Sequence, residues 1–404
     1  MKILWLARTC PYPPNDGEKL RVFNLLRILV RHHELTLVCR VMSDDEYDGL
    51  NVLREMGIQT VGVPVPSPTS YIQRLHWLLP FVFSRYPVSL CTVFFPKIRD
   101  AIRDLVSKQG FDVIQVEHSS LTIYLDYIRF LNAPALVLTM HNIDRLRNER
   151  IIAATPFGLR KIYLLWDQAR FKQWEMASLQ RYNRVVVMSA LDASLLHKDL
   201  PDLAIDVVPN GVDCTSLGYE PPRHDENLMI FVASMDSEAN HDGAMFFLRE
   251  IFPLIRRYTN TRASMVGRNP QPDLIAMQNG STILVTGKVD DVLPFYRQAA
   301  VAVVPLRSGG GTRLKILEAM AMGTPVVSTT VGAEGLEVSN EQNILLADTP
   351  TAFAQAVIRI IHDSSLAARL SSNARKLVEN YYDWKEIAQL QGDVYQMAVN
   401  RVED

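Results

Sequence analysis

Short unbroken runs of Val, Ile and Leu recur at residues 2–6, 34–40, 59–63, 112–116, 135–139 and 184–189. They are separated by longer stretches of helical period. A run without polar alternation is what a parallel strand covered on both faces requires. Between the first two runs, Leu20, Phe23, Leu26, Leu29 and Val30 fall on one stripe, which predicts a helix over 18–30. The longest helical stretch, 143–182, is divided at Pro156 and Gly158. This alternation predicts βαβ units and an open parallel sheet.

A turn-rich segment follows, Val208-Pro209-Asn210-Gly211-Val212-Asp213, with Pro221 and Pro222 close behind. After it the pattern restarts. Strands are predicted at 228–233, 263–266, 282–285, 300–305 and 325–328, with helices between them at 243–257 and 312–322. The tail, over 351–361, 366–378 and 384–399, is helical in pattern. The expected fold class is α/β, with two Rossmann-like doubly wound domains facing across a cleft. The first is expected over 1–208, a linker over 209–222, the second over 223–382. A terminal helix, 383–404, is expected to pack back on the first domain.

With 404 residues the chain exceeds one ordinary core, which agrees with two domains. Its formal charge of −2 and scattered basic residues point away from a nucleic-acid partner. Cys10, Cys39, Cys91 and Cys214 lie far apart with no CxxC pair, which argues against a disulfide framework or a zinc site and for a reducing, cytoplasmic setting. The opening MKILWLAR has too short an apolar core for a signal peptide and reads as a buried strand. No run reaches membrane-spanning length. The apolar, aromatic stretch 76–95 is interrupted by Pro80, Arg85 and Pro87. It reads either as core packing or as a peripheral contact with the inner face of a membrane or with a lipid-linked acceptor.

Chemistry concentrates in residues 299–335. A buried run leads into Ser308-Gly309-Gly310-Gly311, then Thr312 and a helix that should end at Gly323. Glycines let backbone N–H groups approach a ligand, and a helix start favours an anion. Arg313 and Lys315 oppose the helix dipole unless an anion such as a diphosphate sits there. Glu318, three residues after Lys315, shares its face. The bland alternative is a structural turn with a surface Lys–Glu pair. Neither GxxxxGK[ST] nor a GxGxxG after the first strand is present.

The string GGGTRLKILEAMAMGTPVVST resembles the donor-site motif of family 4 glycosyltransferases, retaining enzymes of GT-B fold, in a branch found in exopolysaccharide and cell-envelope clusters. PYPPNDGEKLR, TMHNID, VVPNGVD, FVASMDSEANHDGAMFFL, SMVGRNP and VTGKVDDVLPFYRQA resemble further family segments in order, so the likeness runs nearly end to end. It implies an acceptor-side first domain and a nucleotide-sugar-binding second one. Glu318 matches the second glutamate of an E-x7-E motif, which holds the ribose hydroxyls. Gly17 matches the N-terminal loop glycine beside the donor diphosphate, and His141 the strand-end histidine that contacts the donor sugar as the catalytic contact. Ser234, Gly309, Gly310, Gly311, Thr312, Arg313 and Lys315 are the other donor-binding positions. Glu117 and His118, at another strand end, are candidates for the acceptor side.

Two departures stand out. Gly310 occupies the place of the family's first glutamate, so sugar choice must differ or rest on backbone contacts. Residues 234–240 lack the arginine and lysine that many relatives carry there, and Arg313 and Lys315 are the replacements that charge demands. The implied activity is hexosyl transfer from a nucleotide-diphosphate sugar to a glycan or lipid-linked hydroxyl. No cofactor is expected. No Asp-x-Asp pair ends a strand, and Asp290-Asp291 reads as a helix cap, so no metal is expected either. The rival readings are a nucleotide-sugar epimerase on the same fold and a catalytically silent nucleotide-sugar-binding partner.

Overall fold

The computed structural model describes residues 1–65, 78–222, 227–309 and 313–403. Gly310, Gly311 and Thr312 lie outside the described residues, as does the first part of the 76–95 stretch. The chain divides into two compact units, Met1–Pro209 with Ala388–Asp404, and Asn210–Ile387.

The first unit is built on seven parallel strands: β1 (Lys2–Thr9), β2 (Glu34–Val41), β3 (Gln59–Pro64), β4 (Val113–Glu117), β5 (Ala135–Met140), β6 (Arg184–Val187) and β7 (Ile205–Val207). Their order is β3-β2-β1-β4-β5-β6-β7, so the winding direction turns between β1 and β4. Ile3, Leu4 and Trp5 are fully buried, as continuous apolar strands demand. Helix Gly17–Leu29 begins where Asp16 accepts a hydrogen bond from the Lys19 amide. The last helix, Trp384–Glu403, ends in this unit, where Tyr395 is fully buried with its ring edge-on to Trp5 at 6.5 Å.

The second unit carries six strands: β8 (Leu228–Val232), β9 (Arg262–Val266), β10 (Ile283–Gly287), β11 (Val301–Val304), β12 (Val326–Ser328) and β13 (Leu345–Leu346). The order β10-β9-β8-β11-β12-β13 repeats the first unit's turn, here between β8 and β11. Phe231, Phe247 and Phe353 fill the core. Helix Leu314–Met322 closes at Gly323, whose φ of 88° suits a left-handed cap. A Cβ there would meet the Glu220 carbonyl at 2.2 Å.

All eleven predicted strands form. The run predicted over 184–189 ends at Val187 because the Ser189 side chain accepts from the Asp192 amide and caps the next helix. The helix predicted from 243 starts earlier, at Glu238, and Phe247–Ile251 passes through a π turn. The helix predicted from 312 is described from Leu314. Of the Asp290-Asp291 pair predicted to cap the next helix, neither is the N-cap, which is Val292; Asp291, just before it, accepts from the Leu293 amide. In the described part of 76–95, Phe81, Tyr86, Val88, Leu90, Val93 and Phe95 are buried, whereas Leu79 and Phe83 are exposed. With Leu78, Val82, Cys91 and Phe94 packed against them, most apolar side chains of that stretch therefore belong to the core. Among the described residues, no helix is long and apolar enough to cross a membrane.

Candidate active site

Open parallel sheets take ligands at the carboxyl ends of their strands, beside the point where strand order turns. In the first unit that position holds four of the residues singled out above. Gly17 opens the helix after β1, Glu117 ends β4, His118 follows it, and His141 follows β5. The register of β4 on β5 pairs Glu117 with Thr139, which brings both strand ends level.

Three of these side chains are in contact. His141 Nε2 lies 2.6 Å from Glu117 Oε2, both groups buried. The His118 ring stacks on His141 at 4.6 Å, its backbone at φ 77°. His118 Nε2 in turn stands 2.8 Å from Glu18 Oε1. Gln115 donates to Glu117 Oε1 at 3.1 Å and to Thr139 Oγ1 at 2.7 Å, fixing the carboxylate from behind.

Burial lowers the pKa of His141 and outweighs the opposing hydrogen bond and charge of Glu117. The imidazole is thus neutral at neutral pH. With the Glu117 carboxylate holding the proton on Nε2, Nδ1 is left as the acceptor atom. Burial works to raise the pKa of Glu18. The hydrogen bond and charge of His118, with His141 and Arg8 behind it, prevail and bring it down to about 2. Glu18 was quoted in the sequence only within a loop motif. Its pairing with a histidine a hundred residues on is a product of the sheet order.

In the second unit, the loops after β8 and β11 meet across the corresponding turn. Ser234 follows β8; its hydroxyl accepts from Arg268 Nε at 3.0 Å and donates to Asp236 at 2.6 Å. Asn240 donates to the Ser234 carbonyl at 2.9 Å, and its Oδ1 accepts from Lys315 Nζ at 2.8 Å. Gly309 has φ 108°, and a Cβ on it would come within 3.0 Å of Ala239. Arg313 stands at the helix N-cap and is buried, donating to the carbonyls of Gly309 (3.1 Å) and Val331 (2.9 Å). It ties Gly309 to the segment after β12.

Lys315 and Glu318 are not an exposed surface pair. Lys315 lies 4.8 Å over the Phe231 ring. Burial, aided by the charge of Arg313, lowers its pKa to about 7 against the pull of Glu318. Burial raises Glu318 to about 7, opposed by a hydrogen bond from Tyr296 and the charge of Lys315. The Tyr296 hydroxyl is 3.4 Å from Glu318 Oε2. Two half-neutralised groups one turn apart are poised to respond to a charged or hydroxyl-bearing ligand.

Residues 234–240 contain no cation of their own, yet two reach them, Lys315 and Arg268. Sequence reasoning missed Arg268. The available signal was Gly267, next to the strand end, where a Cβ would strike the Ala233 carbonyl at 1.7 Å. Only glycine lets the two strands' loops close up, and the next side chain turns onto Ser234. Among the described residues, no group of three or more His, Cys, Asp or Glu could hold a metal ion.

Comparison with known proteins identifies the family and the fold. The family described as "Glycosyltransferase Family 4" matches residues 17–216, and "Glycosyl transferases group 1" matches residues 226–363. An "Uncharacterized 44.6 kDa protein in cps region" of Klebsiella pneumoniae is 22% identical, over 96% of this chain and 97% of its own length. Among solved structures, sucrose-phosphate synthase from Thermosynechococcus elongatus superposes with a TM-score of 0.69 at 19% identity, covering 98% of each chain. HepE of Anabaena, solved in complex with UDP and glucose, has a TM-score of 0.66 at 16% identity over 98% of each chain. The fold is that of the GT-B transferases, two Rossmann-like parallel-sheet domains. The chain is a glycosyltransferase of the group 1 kind.

Proposed function

We propose that the enzyme is a retaining transferase that moves a hexosyl unit from a nucleotide-diphosphate sugar to a hydroxyl acceptor, in polysaccharide or cell-envelope glycan synthesis at the cytoplasmic face of a membrane. The observation that carries the donor reading is the Lys315–Glu318 pair. It is held one turn apart beside the glycine loop at the strand turn, each charge suppressed by burial. A diphosphate would recharge Lys315, and ribose hydroxyls would satisfy Glu318. Gly17, Ser234, Gly309, Gly310, Gly311, Thr312 and Arg313 complete the donor site in this reading. The Klebsiella relative's place in a cps region supports the pathway. The UDP and glucose bound by HepE support a nucleotide-sugar donor.

The reaction proceeds on one face of the sugar. The C1–O bond to the diphosphate breaks and the C1–O bond to the acceptor forms on the side the diphosphate leaves. The acceptor's proton passes to the departing phosphate oxygen. Lys315 and loop amides stabilise the charge that develops there. His141, neutral and oriented by Glu117, contacts the sugar through Nδ1. No metal or other cofactor takes part. The membrane contact falls to Leu79 and Phe83, the exposed apolar side chains of 78–95.

A thermal-shift screen of nucleoside diphosphates and then nucleotide sugars tests the donor. Product anomeric configuration by NMR tests retention. Stabilisation by none of them, or an inverted product, removes the corresponding half of the proposal.

A further inference from the structure

The first unit contains a second polar feature beside the His141 cluster. A cavity of about 280 Å³ opens at the carboxyl ends of β1 and β2. Its lining includes Arg8, Arg40, Ser120, Asp144, Asn148 and Phe171. Ser120 lies two residues after His118, and Asp144 and Asn148 lie on the helix that follows His141. The cavity therefore adjoins the candidate reaction centre.

The two arginines are brought together by the sheet. Leu6 pairs with Val38, but Thr9 rather than Arg8 pairs with Arg40, so β1 holds an extra residue at its end. Such a bulge re-aims the side chains at a strand's end. Arg8 and Arg40 line a small adjoining pocket together with Leu6 and Val38, their neighbours two residues back.

Two like charges thus share one half-buried site. Among the described residues, Arg8 donates a hydrogen bond only to the Ser120 hydroxyl, at 3.5 Å, and the Nε of each arginine is buried without a hydrogen-bond partner. Burial lowers the pKa of Arg40, and the charge of Arg8 acts in the same direction; Glu46 and Glu18 oppose it. Asp144, the acid in the lining, leaves an excess of one positive charge facing the cavity. Guanidinium groups in a semi-enclosed space match a tetrahedral oxyanion through paired N–H···O bonds.

We propose that this cavity is an acceptor subsite for a phosphoryl group, so that the acceptor is a phosphate-bearing glycan or lipid. The assignment rests on the transferase reading in placing the acceptor on the first unit. Ser120 and Asn148 supply further hydrogen-bonding groups, and the Phe171 ring forms an apolar wall.

The test is calorimetric titration of inorganic phosphate into the full chain, for wild type, Arg8→Met, Arg40→Met and Lys315→Met. Each arginine variant should weaken phosphate roughly tenfold or more, the scale of one charge-assisted hydrogen bond. Lys315→Met should leave that event in place, and Arg8→Met and Arg40→Met should leave nucleoside diphosphate affinity unchanged. Arg40→Lys, which keeps the charge, controls for folding and should bind between the two. Phosphate affinity that is unaltered in both arginine variants, or lost only in Lys315→Met, overturns the proposal. Competition by a polyprenyl phosphate in neutral micelles or by a soluble hexose 1-phosphate tells a lipid source from a glycan one. Competition by neither overturns the acceptor assignment. If no nucleoside diphosphate binds wild type, the transferase reading fails, while the phosphate titration still reports on the arginine pair.

Discussion

His141 Nε2 and Glu117 Oε2 lie 2.6 Å apart at the level ends of neighbouring strands, and both are buried. A carboxylate in that position selects the tautomer of a neutral imidazole, as an orienting group does in a catalytic couple. His141→Ala should lower turnover roughly 10²–10³-fold, the scale of losing one preorganised polar contact, with donor affinity much less affected. Glu117→Gln can donate to Nε2 and so reverse the tautomer. It should lower turnover while leaving the fold intact. Melting temperature, donor affinity and turnover measured on one preparation decide the matter. A destabilised His141→Ala with normal turnover per folded molecule would make the pair structural.

The strand pattern was legible because parallel strands covered on both faces must be apolar at every position, a condition that few other segments meet. Strands β7 and β13 escaped notice for the opposite reason. They are three and two residues long, and each closes an edge of its sheet where pairing, not composition, defines the strand. His141, Glu117 and Glu318 were visible as strand-end or motif residues. The contacts of Glu18 with His118, Asn240 with Lys315, Tyr296 with Glu318 and Arg268 with Ser234 were not, because each depends on which strand neighbours which. The turn of strand order between β1 and β4, and again between β8 and β11, carries that information. Arg313 shows the limit in the other direction. Its charge suggested a phosphate ligand, but nothing in the sequence showed that its Nη2 also reaches the carbonyls of Gly309 and of Val331, beyond β12.

Glu318 tests the ribose contact separately from the phosphate contact. Glu318→Gln keeps the side chain's shape and its approach to Tyr296 while losing the charged acceptor. Nucleoside diphosphate affinity should fall about tenfold, the value of a hydrogen bond to a charged group. The variant should also stop distinguishing ribonucleotides from their 2′- and 3′-deoxy forms. Undiminished discrimination would place the ribose elsewhere.

If Lys315 and loop amides neutralise the leaving diphosphate, a divalent ion has no role there. Turnover should then be unchanged after dialysis against a chelator and should gain nothing from added Mg²⁺ or Mn²⁺. Loss of activity restored by either ion would transfer the charge stabilisation from Lys315 to a metal.

The pH dependence of donor binding follows from the two half-buried groups, Lys315 and Glu318, each with a pKa shifted to about 7. Lys315 has a lowered pKa, so it is charged below about 7 and neutral above. A bound diphosphate favours the charged form, and above pH 7 binding must take up a proton. Affinity should therefore fall as pH rises, approaching about tenfold per unit. Glu318 has a raised pKa, so below about 7 it carries a proton that ribose hydroxyls must displace. Affinity should fall on that side too, with a maximum near neutrality. A nucleotide sugar is the right probe, since its doubly esterified diphosphate has no proton of its own to lose in this range. Lys315→Met should flatten the alkaline limb and leave the acid one, and Glu318→Gln should do the reverse. Calorimetry at pH 8 in buffers of different ionisation enthalpy should count close to one proton taken up by wild type and none by Lys315→Met. An alkaline limb that persists in Lys315→Met would mean that another group titrates, and that Lys315 does not face the phosphate.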